Sequence, residues 1–380
     1  MYLKHLALTD FKNIEEIEID CSPVLNCFAG DNGEGKTNLL DSIYYLSMCK
    51  SHFKTGDTAN IRDKEQYFII KGIYDHRQEE ITVSCGVKRN GKKSFKLNVK
   101  EYERLSEHIG HIPIVIITPS DTSLISDSGE ERRKFLNAVI AQTDRDYLNA
   151  LLKYNHTIAQ RNKLLKSGNI DSELLKILNE SLSNSGQVIY EKRAALIQAF
   201  TPTFREVYAS ISDSKESPNL LYRSDLSRGR LAELLEESLD RDLFMQHTTT
   251  GVHRDDLGME IDGRAVRYAG SQGQQKTYLI AMKMAQFHII KQHAGFSPIL
   301  LLDDIFDKLD TGRVERLITL VVGNGFGQIF LTDSNKNRLD RLLEKTATDY
   351  KLFRIEAGKA ELIAEPSSKS IENETPSEEI

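Results

Sequence analysis

Apolar positions recur with period two over the first third of the chain. Residues 2–9 and 14–19 alternate and read as strands with one side on a core; 67–74, 81–87 and 94–99 do the same. Asn90-Gly91 between the last two marks a hairpin. Residues 24–29 and 113–118 are short and almost wholly apolar, the pattern of strands covered on both faces. From Gly129 to about Ser210 the period becomes helical, broken at Ser167-Gly168-Asn169, and 231–239 reads as another helix. The α/β pattern then returns: a helix over 271–293, a buried strand at 299–302, a helix at 313–322, and strands at 328–332 and 350–355. The reading is an α/β domain in two pieces, 1–128 and 245–363, around an inserted helical lobe, 129–244. No internal repeat is visible.

Charge adds one feature. The net charge is −6, which argues against a uniformly basic nucleic-acid binder. The acidic excess is concentrated in 364–380, where five acids and one lysine carry −4 and leave the rest at −2. Rich in Ser, Glu and Pro, this tail is expected to be disordered. Hydrophobic content is 39%, and no apolar run approaches the 18 or more residues of a membrane span. The start reads as a strand and not as a signal peptide, and Cys21, Cys27, Cys49 and Cys85 lack metal-binding spacing. A cytoplasmic protein without a membrane partner is expected.

The chemistry begins at Gly30-Asp31-Asn32-Gly33-Glu34-Gly35-Lys36-Thr37, between the 24–29 strand and a helix expected from Asn38. It fits the phosphate loop G-x-x-x-x-G-K-[ST]. Glycines let backbone N–H groups reach phosphate oxygens, and the following helix adds its positive end. Lys36 is expected at the β- and γ-phosphates of ATP, and Thr37 on Mg²⁺. The strand 299–302 runs into Asp303 and Asp304. Asp303 suits the same Mg²⁺, and Asp304 suits general-base work on an attacking water. Ser271-Gln272-Gly273-Gln274 reads as a capping box opening a helix.

These motifs together resemble the ABC-type ATPase heads: a phosphate-loop parallel sheet, an antiparallel β-subdomain and a signature helix. There the signature serine contacts the γ-phosphate held by the opposite protomer, which implies that Ser271, Gly273 and Gln274 complete the site of a second copy. Leu309-Asp310 looks like the family's D-loop. The ordered set Thr9-Asp10-Phe11-Lys12-Asn13, Gly30 to Gly33, Gln160 to Leu165 with Tyr154, Gly251 to Asp256, Gly270 to Lys276 and Leu301 to Asp304 narrows the resemblance to the RecF recombination and repair proteins. The separation of Thr37 and Ser271, 233 residues, is too short for the coiled coils of SMC heads. The resemblance implies a weak, switch-like ATPase that dimerises on ATP and binds gapped or junction DNA. It also implies RecR and RecO as partners, with recombinase loading and the SOS response as outcomes.

Departures leave roles open. Thr332-Asp333 stands where transporter-type heads carry a switch histidine, Asp304 replaces a glutamate, and Ser120 stands where an acid is expected. His253-Arg254-Asp255 either joins the site or locks a turn. Two stretches free of acids are candidate DNA contacts: Lys88, Arg89, Lys92 and Lys93 in 88–100, and Lys153, Arg161 and Lys163 in 147–166. An SMC-like or ABC transporter-type ATPase subunit of another complex and a phosphotransferase using the same loop are the alternatives.

Overall fold

Residues 1–365 are described by the computed structural model, apart from 54, 169, 213–215, 307–308, 324, 336–337, 340–342 and 345–348. The chain opens with β1 (Tyr2–Phe11), β2 (Ile14–Asp20), β3 (Leu25–Ala29) and α1 (Lys36–Met48). It continues through β4 (Tyr67–His76), β5 (Glu79–Lys88), β6 (Ser94–Leu97), β7 (Lys100–Glu101) and β8 (Ile114–Ile117). A helical stretch follows: α2 (Ser123–Ser126), α3 (Gly129–Ala141), α4 (Arg145–Lys166) and α5 (Ser172–Ile211). Next come β9 (Pro218–Arg223), α6 (Leu231–Glu237), α7 (Leu239–Met245), β10 (Asp256–Ile261), β11 (Arg264–Ala265) and α8 (Val266–Ala269). The last part is α9 (Gln272–Ala294), β12 (Ile299–Asp303), α10 (Thr311–Gly323), β13 (Ile329–Asp333), β14 (Tyr350–Glu356) and β15 (Lys359–Ala364).

The most apolar strands make the central sheet, ordered β15-β14-β3-β13-β12-β8. All its pairings are parallel except that of β15 with β14. Strands such as Ile114-Val115-Ile116-Ile117 carry no polar side because both faces are covered. Phe28, Leu301, Ile116 and Phe330 pack towards α1, whose other side meets Leu6, Leu8, Phe68 and Ile70 of a six-stranded antiparallel sheet, β2-β1-β4-β5-β6-β7. Cys27, Leu300, Val115 and Leu331 pack the opposite way, against α9, α3 and the second half of α5. Burying each large apolar side chain contributes about 1.5–3 kcal/mol. The helix that follows the phosphate loop is thus held between two sheets.

One buried side chain joins the sheets. The Gln328 amide accepts from the Leu3 N–H at 2.7 Å and donates to the Leu3 and Ser22 carbonyls at 2.7 and 2.8 Å.

The stretch 129–244 departs from its expected helical character. β9 lies within it and pairs with β10 in a small antiparallel sheet, β11-β10-β9. Phe135 and Leu136 of α3, with Phe200, Phe204 and Tyr208 of α5, belong to the α9 core. A smaller cluster of its own forms around Tyr147, Tyr154, Leu182, Ile189 and Leu231. The expected helix at 231–239 breaks at Ser238 into α6 and α7. At the other end Ala364 closes β15, and 366–380, nearly all of the expected tail, lies outside the described residues.

Arg193 joins the two clusters. Its buried guanidinium donates to Asp255 at 2.6 Å, to the Val252 carbonyl at 2.8 Å, to Asn137 at 2.9 Å and to the Tyr147 hydroxyl at 3.1 Å. Arg193→Ala leaves Asp255 buried with the Tyr222 hydroxyl but without its cationic partner, so it should cost about 3–5 kcal/mol. A urea unfolding midpoint equal to that of the unaltered protein would refute this.

Candidate nucleotide site

Parallel strands bring their C-terminal ends to one edge, and the candidate site lies there. β3 ends at Ala29, β12 at Asp303 and β13 at Asp333, with β13 between the other two. The loop leaving β3 turns through Gly33 and Gly35, and Gly35 caps α1 with φ +111°, a left-handed conformation that glycine adopts freely. Lys36 is buried, and its ammonium donates to the Gly30 and Asp31 carbonyls at 2.7 and 2.8 Å. The Thr37 hydroxyl sits 2.9 Å from both carboxylate oxygens of Asp303, 266 residues further on. Asn32, Gly33, Gly35, Lys36, Thr37, Asn38 and Asp304 line a cleft of about 210 Å³; Asp31 and Glu34 complete its loop.

Asp303 is the electrostatic centre. Burial pushes its carboxyl above the usual carboxylate range, the Thr332 and Thr37 hydroxyls oppose that shift, and neighbouring Asp304 adds to it. Thr332 donates to Asp303 at 2.7 Å and accepts the Asp304 N–H at 3.1 Å. A hydroxyl and a partly desolvated carboxylate at the phosphate edge suit a hard divalent cation such as Mg²⁺. Asp304 has φ +43° and lines the cleft, a conformation Asp tolerates better than most residues.

Sequence reasoning left three contributors without a role. Thr332, noted only as part of a replaced histidine, organises both acids. Asp333 is buried at the end of β13 and accepts the Asn335 N–H at 2.8 Å, with Arg338 at 3.2 Å. Burial pushes its carboxyl upward. Asn13, in the β1–β2 turn, donates to the Gly33 carbonyl at 3.2 Å and accepts from Asn38 at 2.7 Å. Its signal was its place in the Thr9–Asn13 motif. The acid sought at Ser120 comes one residue later: Asp121 accepts the Thr118 N–H at 2.7 Å and pairs with Lys283 of α9 at 2.8 Å.

Ser271, Gly273 and Gln274 do not line this cleft. Ser271 is exposed, its hydroxyl accepts the Gln274 N–H at 3.2 Å, and the Gln274 side chain accepts the Ser271 N–H at 2.7 Å, the expected capping box. His253 and Asp255 are drawn into packing. His253 meets the Tyr154 hydroxyl at 2.9 Å and the Thr248 carbonyl at 3.0 Å, while Asp255 serves Arg193.

Two expected DNA contacts are corrected. Arg161 is fully buried, bonded to Asp242 at 2.7 Å, Thr248 at 2.8 Å and Asn179 at 2.7 Å. With Tyr154, Thr157 and Leu165 it occupies the inward face of α4, a stripe at helical spacing that the charge count overlooked. Lys93 reaches Asp57 at 3.1 Å and the Cys49 carbonyl, with its ammonium 4.4 Å from the Tyr45 ring centroid. Lys88, Arg89, Lys92, Lys153 and Lys163 are exposed. Among the described residues no helix is long and apolar enough to cross a membrane.

A phosphate loop facing a strand-end aspartate, an antiparallel sheet over α1 and a capped signature-type helix define an ABC-type ATPase head. Residues 2–351 match the family described as RecF/RecN/SMC N terminal domain. The DNA replication and repair protein RecF of Bacteroides fragilis (strain YCH46) is 48% identical over 362 residues, covering 94% of this chain and 97% of that protein. The RecF of Porphyromonas gingivalis (strain ATCC 33277) is 44% identical over 360 residues, covering 94% and 99%. The chain belongs to the RecF family of DNA replication and repair proteins. A solved structure of the recombination mediator protein RecF with ATP, in the RecFOR pathway, matches at TM-score 0.86 and 29% identity, covering 96% and 98%. An Smc head bound to the C-winged helix domain of ScpA, at TM-score 0.56 and 16% identity, shares the fold.

Burial holds the imidazoles of His253 and His108 down to about 4. From the ordinary histidine value near 6.5 down to about 4, the unfolded chain binds protons that these native imidazoles refuse. Stability should therefore fall as pH falls through that window, by up to about 2.7 kcal/mol per pH unit for the pair. His253→Gln should remove about half of that slope in urea melts run at pH 7, 6 and 5. An unchanged slope would show that His253 titrates normally.

Proposed function

We propose that this chain is an ATP-switched DNA-repair ATPase. Gly30, Asp31, Asn32, Gly33, Glu34, Gly35 and Lys36 cradle the phosphates of ATP, and Thr37 with Asp303 holds Mg²⁺. The carrying observation is the Thr37–Asp303 contact at 2.9 Å, which joins the two halves of a nucleotide site. When bound there, Mg²⁺ would supply charge neutralisation for the phosphates. Lys36 exchanges its two carbonyl partners for phosphate oxygens, and Asp304, in the cleft, accepts a proton from the attacking water. An aspartate is shorter than the glutamate of transporter heads, and Thr332-Asp333 stands where they carry a histidine; both features favour slow turnover.

The outward position of Ser271 supports action on a second copy. Its helix N-terminus, with Gly273 and Gln274, suits a γ-phosphate held by a partner protomer. ATP then favours a closed dimer through contacts made only there. Lys88, Arg89, Lys92, Lys153 and Lys163 give that dimer sequence-independent affinity for DNA, at gaps and single-/double-strand junctions. The kinship with RecF proteins, and with a mediator of the RecFOR pathway, supports RecR and RecO as partners, and roles in recombinase loading and SOS induction.

Light scattering of wild-type protein should show dimers with ATP and monomers with ADP. Ser271→Arg should remain monomeric while binding nucleotide as before. Lys36→Ala removes two charge-assisted phosphate contacts, so it should weaken ATP binding about a hundredfold. An ATP-dependent dimer of the Ser271→Arg protein would exclude the reading in which each serine serves the other protomer.

A further inference from the structure

The phosphate loop touches a part of the chain that the mechanism above does not use. β14 and β15 are joined by a tight turn whose central residues, Ala357 and Gly358, have φ +48° and +73°. Both turn amides point at Glu34. The Ala357 N–H donates to the Glu34 carboxylate, and the Gly358 N–H donates to the Glu34 carbonyl at 3.1 Å. The fit is close: a Cβ on Gly358 would stand 2.8 Å from the Asn13 carbonyl oxygen, and one on Gly30 would overlap that of Ile355. Asn13 in turn holds the Gly33 carbonyl. The cradle is thus wedged between two hairpin turns, one from each end of the chain.

An acid inside a phosphate loop is an electrostatic liability. Glu34 lies two residues from Lys36, and a free carboxylate there would pair with that ammonium where phosphate must bind. Instead the Glu34 carboxylate is occupied by the Ala357 amide, and Lys36 rests on two neutral carbonyls that it can release to a ligand.

We infer that the Ala357–Gly358 turn is a working part of the nucleotide site and that Glu34 is a positioning residue. Its backbone belongs to the cradle. Its side chain holds the turn, which braces the loop and keeps the acid away from Lys36. The inference rests on the ATP-binding reading above. By linkage, a nucleotide that tightens the loop also tightens the hairpin.

The test uses the full chain and a fluorescent ATP analogue, with affinity read by titration. Gly358→Ala pushes the turn off Asn13 and frees the carboxylate, so it should weaken binding roughly tenfold. Glu34→Ala should weaken it less, because the competing charge goes with the brace. Glu34→Gln, which keeps an acceptor for the Ala357 amide, should restore most of what Glu34→Ala loses. Adding Glu34→Ala to Gly358→Ala should recover part of the lost affinity, a sign that purely structural damage would not produce. Amide exchange at 357 and 358 should slow when the analogue binds.

If Gly358→Ala binds as wild type does, or the double variant is weaker than either single one, the inference is overturned. Should Gly358→Ala fail to fold, equal affinity of wild type, Glu34→Ala and Glu34→Gln overturns it. Wild-type protein that binds no analogue removes the functional reading and this inference together.

Discussion

A hydroxyl against a carboxylate, Thr37 on Asp303, is the contact on which this molecule depends. It exists because β3, β13 and β12 are parallel neighbours whose polar ends share one edge. β12 and β13 are apolar until their last residues, and β3 is apolar apart from buried Asn26, so the sheet is fixed by burial and the chemistry lies at the rim. Asp303 bears the cost of lying at that rim, partly out of water and beside another acid. Thr332, from the strand between, offsets it by serving both acids.

Rigidity around that edge has a clear source. α1 is enclosed by two sheets, with Leu39, Leu40, Ile43 and Leu46 fully buried. Its first turn, which carries Lys36 and Thr37, therefore shifts little without shifting both layers. On the other side of the central sheet, α9 reaches from the core to exposed Ser271 and is tied by Lys283 to Asp121 and the Ile116 carbonyl. The helix is thus fixed in the core along its length while its first residues stay outside.

The apolar runs at β3, β8, β12 and β13 were legible because parallel strands covered on both faces leave little ambiguity, and the phosphate loop and double aspartate are local motifs. β9, β10, β11 and β15 were not read. β9 finds its partner β10 only across the intervening α6 and α7, whereas β10 with β11 and β14 with β15 form local hairpins whose brief alternation was overlooked. Arg161 shows the limit of counting charge: its basic stretch is real, but its position on the inward stripe of α4 decides its fate. Thr332 and Asn13 were seen as letters of motifs, yet their partners lie in distant segments, and no spacing rule brings Asn13 to Gly33 or Thr332 to Asp303.

Gln328 has a consequence for biosynthesis. The amide that secures the first strand by its Leu3 backbone is made 325 residues later. At ordinary elongation rates the opening strands wait roughly 15–65 s on the ribosome for that fastener and for β12 and β13. During this interval α1 can cover the apolar side of β1, but the places of Leu301 and Phe330 on its opposite face stay empty, so the newborn polypeptide exposes apolar surface that the finished molecule does not.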